Sequence, residues 1–352
     1  MSLIGRRIGN YEIRAKIGEG GMGAVYLGEH PLIGKKVAIK VLLEELASKE
    51  DIVARFFNEA KAVNDIGHTN IVDVVDFGKM AGERGEAIVY FIMEFLEGDS
   101  LSARIHGQPM PFRDALQVLS QCTSALAASH AKGVVHRDLK PDNIFLVNRG
   151  GDRNFTKLLD FGIAKLTGDG VSQSNKTRTG SVIGTPTYMS PEQCEGKGHI
   201  DHRSDVYSLG IVMYEMLTGC VPFGGDGFGE ILVAHLMKQP AAPSTVNPKV
   251  TPELEAIVLH AIEKDRNRRF QDMNEFFRAL SDPEAHARQW RGLPAHVAPT
   301  LQRPLGYAYD GRRGPQSSGG PPRATTLEGA AAEVTHAPPP RRSSREIGRA
   351  HV

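Results

Sequence analysis

His136-Arg137-Asp138-Leu139-Lys140-Pro141-Asp142-Asn143 is the stretch that decides how this chain is to be read. Pro141 bars a helix interior, because it lacks the backbone donor and clashes with the preceding turn. The segment is therefore a loop that carries an acid, a lysine and an amide close together. It matches His-Arg-Asp-x-x-x-x-Asn at every defined position, which chance rarely supplies over eight residues. In that pattern Asp138 would accept or orient the proton of an attacking hydroxyl. Lys140 would neutralise charge on a transferred phosphoryl group, and Asn143 would offer an amide oxygen to Mg²⁺.

Toward the C-terminus, Asp160-Phe161-Gly162 lies seventeen positions beyond Asn143, with a strand-like run at 144–147 between them. A lone Asp-Phe-Gly means little. At this spacing it supplies a second hard oxygen donor, and magnesium prefers such donors.

Toward the N-terminus stands Ile17-Gly18-Glu19-Gly20-Gly21-Met22-Gly23-Ala24-Val25. The Gly-x-Gly-x-x-Gly spacing also occurs in dinucleotide-binding domains, where a helix follows the glycines at once. Here strand-like residues come next, so the segment reads as a hairpin flap folded over a nucleotide. Val37-Ala38-Ile39-Lys40 is the next strand, and its terminal lysine would point toward what the flap covers. Glu59, flanked by Phe56, Phe57 and Ala60, sits beside the buried face of a helix predicted over 52–66 and is the candidate partner of Lys40. Glu50 and Asp51 read instead as helix N-terminal charges.

With these motifs in place, residues 11–280 resemble the protein kinase family, and more closely the eukaryotic-like Ser/Thr kinases of bacteria. The resemblance implies an α+β bilobed protein kinase fold: a small β-rich N-lobe with one main helix (11–96) and a larger, mostly helical C-lobe (97–280). It implies ATP in the cleft with Mg²⁺, or Mn²⁺ in its place. Ala38 would line the adenine pocket, Met93 would be its gatekeeper, and Glu94 and Leu96 would offer backbone hydrogen bonds to adenine. The sequence itself shows only an apolar strand running into a linker there.

Gly184-Thr185-Pro186-Thr187-Tyr188-Met189-Ser190-Pro191-Glu192 carries Ser190 where the family usually has Ala. By resemblance Glu192 pairs with Arg269, Asp205 anchors the catalytic loop, and Lys140 with Thr185 marks a Ser/Thr rather than a Tyr kinase. Arg266 stands where many relatives have Pro. Residues 167–183 are polar and hold Thr177 and Thr179, which match positions that relatives phosphorylate. A phosphate there could pair with Arg137 and order the segment, giving activation by autophosphorylation.

Strands are predicted at 11–17, 24–28, 36–42, 71–77 and 88–94, and helices at 111–132, 206–217, 253–262 and 272–280. Residues 1–10 read as an N-terminal extension. Beyond 281 prolines, glycines, serines and arginines dominate, a composition that predicts disorder. Residues 346–352 look like a translated sequencing adapter, which would leave the natural C-terminus, with any anchor or sensor domain, outside this sequence. Lys and Arg number 42 against 41 Asp and Glu, a formal +1 that argues against nucleic acid as a partner. No run approaches the length of a membrane span, and Cys122, Cys194 and Cys220 are too scattered for a disulfide framework or a zinc site. These features predict a cytoplasmic protein, and the resemblance implies protein substrates bearing Ser/Thr and self-association for trans-autophosphorylation.

Two other readings compete. A pseudokinase scaffold would lack one of Lys40, Asp138, Asn143 or Asp160, and all are present. A small-molecule phosphotransferase of related fold would lack a peptide-presenting segment such as 184–192.

Overall fold

The computed structural model describes residues 3–83, 85–161, 186–196, 200–225 and 227–290. Gly162, Thr177, Thr179, Thr185, the rest of 162–185 and everything beyond 290 therefore lie outside the described residues. Those described fall within one unit, Met1–Gln302.

Six antiparallel strands build the first sheet: β1 (Arg7–Ile8), β2 (Tyr11–Gly20), β3 (Gly23–Glu29), β4 (Lys36–Leu42), β5 (Val74–Ala81) and β6 (Ala87–Glu94), in the order β1-β2-β3-β4-β6-β5. Side chains alternate across a strand, and in β4 this divides the residues between two cores. Val37, Ile39 and Val41 pack with Ile13 and Ile92 on one face, while Ala38 and Leu42 join the core on the other. Lys40 shares the face of Ala38 and Leu42.

Against that face lies α2 (Glu50–Ile66), preceded by the short α1 (Glu44–Ala47). Glu50 and Asp51 complement the positive end of the α2 dipole. The helix stops at Gly67, whose φ of 59° few other residues tolerate. Phe56, Glu59, Ala60 and Val63 recur at helical spacing and form its buried face.

The second part begins with β7 (Gly98–Ser100), α3 (Leu101–Ile105) and α4 (Phe112–Ala131). β8 (Ile144–Arg149) and β9 (Asp152–Leu158) complete a three-stranded sheet, β7-β8-β9. Then come α5 (Pro191–Glu195), α6 (Arg203–Thr218), α7 (Phe228–Met237), α8 (Pro243–Val246), α9 (Pro252–Ala261), α10 (Met273–Ser281) and α11 (Pro283–Gln289). α6 is buried on nearly every side, as its apolar run predicts.

Three expectations are corrected by the structure. Residues 1–10 are not simply an extension: β1 pairs with β2, and Leu3 and Ile8 are buried under the sheet. The strand expected at 71–77 is β5, from Val74; Ile71 makes only an isolated bridge to Leu158, because Ile71 and Val72 are spent on docking this loop to the second part. Irregular chain does not begin at 281. Asp282 accepts from the backbone N–H of Ala285, Pro283 starts α11, and His286 and Trp290 stack on His260 of α9.

Candidate active site

The β2–β3 hairpin closes at Gly20 and Gly23, and Val25 lies opposite Lys40 in register. Its glycines have different physical reasons. A Cβ on Gly23 would lie 2.2 Å from the Val41 carbonyl oxygen, so this residue must be bare for the strands to pair. A Cβ on Gly20 would meet nothing within 4 Å; that position is open space, which a phosphate-bearing ligand could use.

Lys40 Nζ donates to Asp160 Oδ1 at 2.6 Å and lies 3.9 Å from Glu59 Oε1. Burial lowers the Lys40 pKa, but Asp160 and Glu59 outweigh it and hold the ammonium above its ordinary value. Burial likewise raises Asp160, and Lys40, His136 and Lys140 more than reverse it, so its carboxyl titrates below the usual range. Asp160 takes φ of 46°, uncommon for a residue with a side chain. Phe161, next to it, is fully buried and packs on the His136 ring at 4.6 Å.

On the loop, Asn143 Nδ2 donates to the Asp138 carbonyl at 2.8 Å and faces its Oδ2 at 3.4 Å. With its NH₂ end spent there, the amide oxygen is turned the other way. Asp160 keeps 43% of its side-chain surface exposed. An amide oxygen and an accessible carboxylate are hard donors that fit a divalent cation carried by a triphosphate. Among the described residues no cluster of three His, Cys, Asp or Glu forms a separate protein-only metal site.

The loop is fixed from below. Asp205, at the start of α6, is fully buried and accepts from the backbone N–H groups of His136 (2.8 Å) and Arg137 (2.9 Å) and from His130 Nε2 (2.7 Å). Glu192 and Arg269 pair as the resemblance implies. Arg266 occupies a 3-10 turn, Arg266–Arg268, and lies 3.6 Å from Asp201.

Met93 is buried at the end of β6 beside Ala38. The N–H of Glu94 donates to the Asp73 carbonyl, which leaves its carbonyl as the group it could offer a ligand. Its side chain accepts from Lys157 at 2.5 Å and from the Asp73 N–H, a role of which the sequence bears no sign. A cavity of about 890 Å³ opens beside that pair, lined by Lys36, Val72, Glu97 and Arg149 among others. Glu94 and Leu96 line it as well, but none of Lys40, Asp138, Asn143 or Asp160 does, so it is not the space around those four residues. Sequence reading also misses His130 and Gln193. For Gln193 the Ser190-x-x-Gln193 spacing is an available signal, the pattern of a capping box.

A glycine hairpin, a lysine–carboxylate pair and a loop acid near enough to act on that lysine's charge define the class of bilobal phosphotransferases. The profile described as "Protein kinase domain" matches residues 11–279, and the chain belongs to that family, in its eukaryotic-like bacterial Ser/Thr branch. It is 47% identical over 278 residues to the serine/threonine-protein kinase Pkn1 of Myxococcus xanthus, covering 79% of this chain and 39% of that one. It is 38% identical over 271 residues to PrkC of Bacillus subtilis, covering 76% and 40%. The chain thus spans about two-fifths of the length of these relatives. The fold is similar to the crystal structure of a cysteine-to-alanine mutant of the Mycobacterium tuberculosis PknI kinase domain, with a TM-score of 0.60, 24% identity, and 80% of this chain and 99% of that one covered. Family membership carries with it the use of ATP and a divalent metal. Among the described residues no helix is long and apolar enough to cross a membrane.

Proposed function

We propose that this domain transfers the γ-phosphoryl group of ATP to Ser and Thr hydroxyls of protein substrates. The observation that carries the reading is the grouping of Lys40, Glu59 and Asp160 with Asp138 and Asn143, close enough for Asp138 to act on the Lys40 charge, beside the turn end of the glycine hairpin where Val25 lies opposite Lys40. Phosphoryl transfer asks little covalent chemistry of a protein, and positioning and charge do most of the work.

In this reading Lys40, placed between Asp160 and Glu59, holds the α- and β-phosphates under Ile17–Val25. Ala38, Met93, Glu94 and Leu96 form the adenine end. Asp160 and Asn143 would hold Mg²⁺, with Mn²⁺ as a substitute; the bound cation neutralises phosphate charge. Asp138 takes or orients the proton of the substrate hydroxyl, and Lys140 offsets charge on the phosphoryl oxygens. Lys140 with Thr185 favours Ser and Thr over Tyr as acceptors. Thr177 and Thr179 are the proposed autophosphorylation sites, reached by a second copy of the chain. The need for ATP and the three free cysteines favour the cytoplasm.

Asp138→Asn tests the central role. Transfer to a generic basic protein should fall about 1000-fold or more, with ATP affinity nearly unchanged. Loss of ATP affinity as large as the loss of rate would remove Asp138 from that role.

A further inference from the structure

The peptide unit joining Arg137 to Asp138 is held at both ends. Its N–H, that of Asp138, donates to His136 Nδ1 at 3.3 Å. Its carbonyl, that of Arg137, accepts from Gln193 Nε2 at 2.9 Å. Arg137 has φ of 63°, a conformation that a Cβ disfavours, so this unit needs outside support to stay where it is. Rotation about it would swing the side chain of Asp138.

The other end of the Gln193 amide serves α5. Its Oε1 accepts from the Ser190 N–H at 2.9 Å and from Ser190 Oγ at 3.2 Å, while Ser190 Oγ accepts from the Gln193 N–H. This is a capping box, and a cap of that kind works equally with Glu or Gln, because it uses only an acceptor oxygen. The cap does not explain why the residue is an amide. The bond to Arg137 does, since only an amide can donate to a carbonyl while its oxygen caps the helix. A carboxylate there would face the Arg137 carbonyl with a second acceptor.

We propose that Gln193 is a positioning residue for phosphoryl transfer: it ties the peptide unit before Asp138 to Ser190, where the substrate-side segment passes into α5. The proposal rests on the role of Asp138 as the hydroxyl-orienting acid. It makes the placement of that carboxylate depend on the placement of the segment that would present the substrate, through one side chain.

Gln193→Glu separates the two roles, because it keeps the cap and removes the donor. The variant, Gln193→Ala and Asp138→Asn are compared with the unaltered protein in melting temperature, ATP affinity and steady-state peptide phosphorylation. The expected result for Gln193→Glu is a kcat about 10- to 100-fold lower, with KM for ATP and melting temperature close to the original. Amide exchange over residues 136–139 should quicken. A Gln193→Glu variant with undiminished kcat overturns the proposal, as does loss of rate that tracks loss of folded protein in both Gln193 variants, which would make the residue a cap alone. An active Asp138→Asn would sink the role of Asp138 instead; an inactive one beside a fully active Gln193→Glu sinks only the role of Gln193.

Discussion

Arg269, with no side-chain surface exposed, meets both oxygens of Glu192 at 2.8 Å. Its remaining donors reach the carbonyls of Glu263, Arg203 and Lys264, and its guanidinium lies 4.9 Å from the Tyr207 ring. Ser204 Oγ also donates to Glu192. Such a pair, satisfied on every side, does little net work compared with apolar packing. Removing one partner, however, strands a buried charge at a cost of about 3–5 kcal/mol. Arg269→Ala is expected to lower stability by that order in urea unfolding. Burial raises the Glu192 pKa, and the bonds from Arg269 and Ser204 outweigh it, leaving the folded value below the ordinary 4.5. Its contribution is therefore complete above pH 4.5 and is lost as pH falls through the lower folded value. Arg269→Ala should flatten that part of the acid-stability curve; an unchanged slope would contradict the assignment.

Lys40 has two acidic neighbours at unequal distances, and this ranks two substitutions. Lys40→Met removes the charge proposed to hold the phosphates and should cut kcat/KM about 100- to 1000-fold. Glu59→Gln leaves Lys40 its 2.6 Å partner Asp160 and should cost less, near tenfold. Because Lys40 is held above its ordinary value of 10.5, the pH–rate profile should show no loss of its charge between pH 6 and 9. A Glu59→Gln defect equal to that of Lys40→Met would mean that Glu59, not Asp160, positions the lysine.

Much of the fold is legible in the sequence because burial imposes a period on it. β4 can be placed from the alternation of Val37, Ile39 and Val41, and α2 from the recurrence of Phe56, Ala60 and Val63. The catalytic loop is legible because its residue types and spacing are dictated by chemistry. Other features depend on contacts far away in sequence and leave little local trace. Two apolar residues, Leu3 and Ile8, do not announce a strand, yet they cover a sheet face. Ile71 and Val72 look like strand residues but are spent on docking. Asp282-Pro283 is a helix-start signal, obscured by the loop-like composition of the residues after it. The bond from Gln193 to Arg137 spans 56 positions, and no periodicity reports it.

The polar segment 167–183 bears on regulation. With Arg137 adjoining Asp138, phosphate on Thr177 or Thr179 would have a cationic partner near the loop. The double variant Thr177→Ala, Thr179→Ala is expected to lose at least tenfold of its activity toward a protein substrate, on the scale of one or more charge-assisted hydrogen bonds. Mass spectrometry of the unaltered protein after incubation with ATP should find phosphate at these positions. Undiminished activity of the double variant would rule the switch out.

Trp290 is the chain's single tryptophan, which makes the docking of α11 directly observable. Its ring stacks on His260 at 5.1 Å, and His286 stacks on His260 at 5.2 Å with an interplanar angle of 9°. Burial pushes the His260 pKa down to about 4, with His286 adding to the effect and the Arg268 carbonyl opposing it. Burial also lowers His286, against the pull of Glu275. Nδ1 of His260 and Nε2 of His286 are buried without a hydrogen-bond partner, so protons added there would have no acceptor. Docking of α11 therefore favours the neutral form of both rings, and the undocked state binds protons more readily below the ordinary value of 6.5. Docking should be at full strength above pH 6.5 and weaken as pH falls toward 4. The expected observation is a reversible red shift of Trp290 emission across that range, ahead of global unfolding. The double variant His260→Phe, His286→Phe keeps both rings and removes the titration, and should hold the emission unchanged to lower pH. If the tryptophan responds only when the whole domain unfolds, in both proteins alike, the stacked histidines do not govern the docking of this helix.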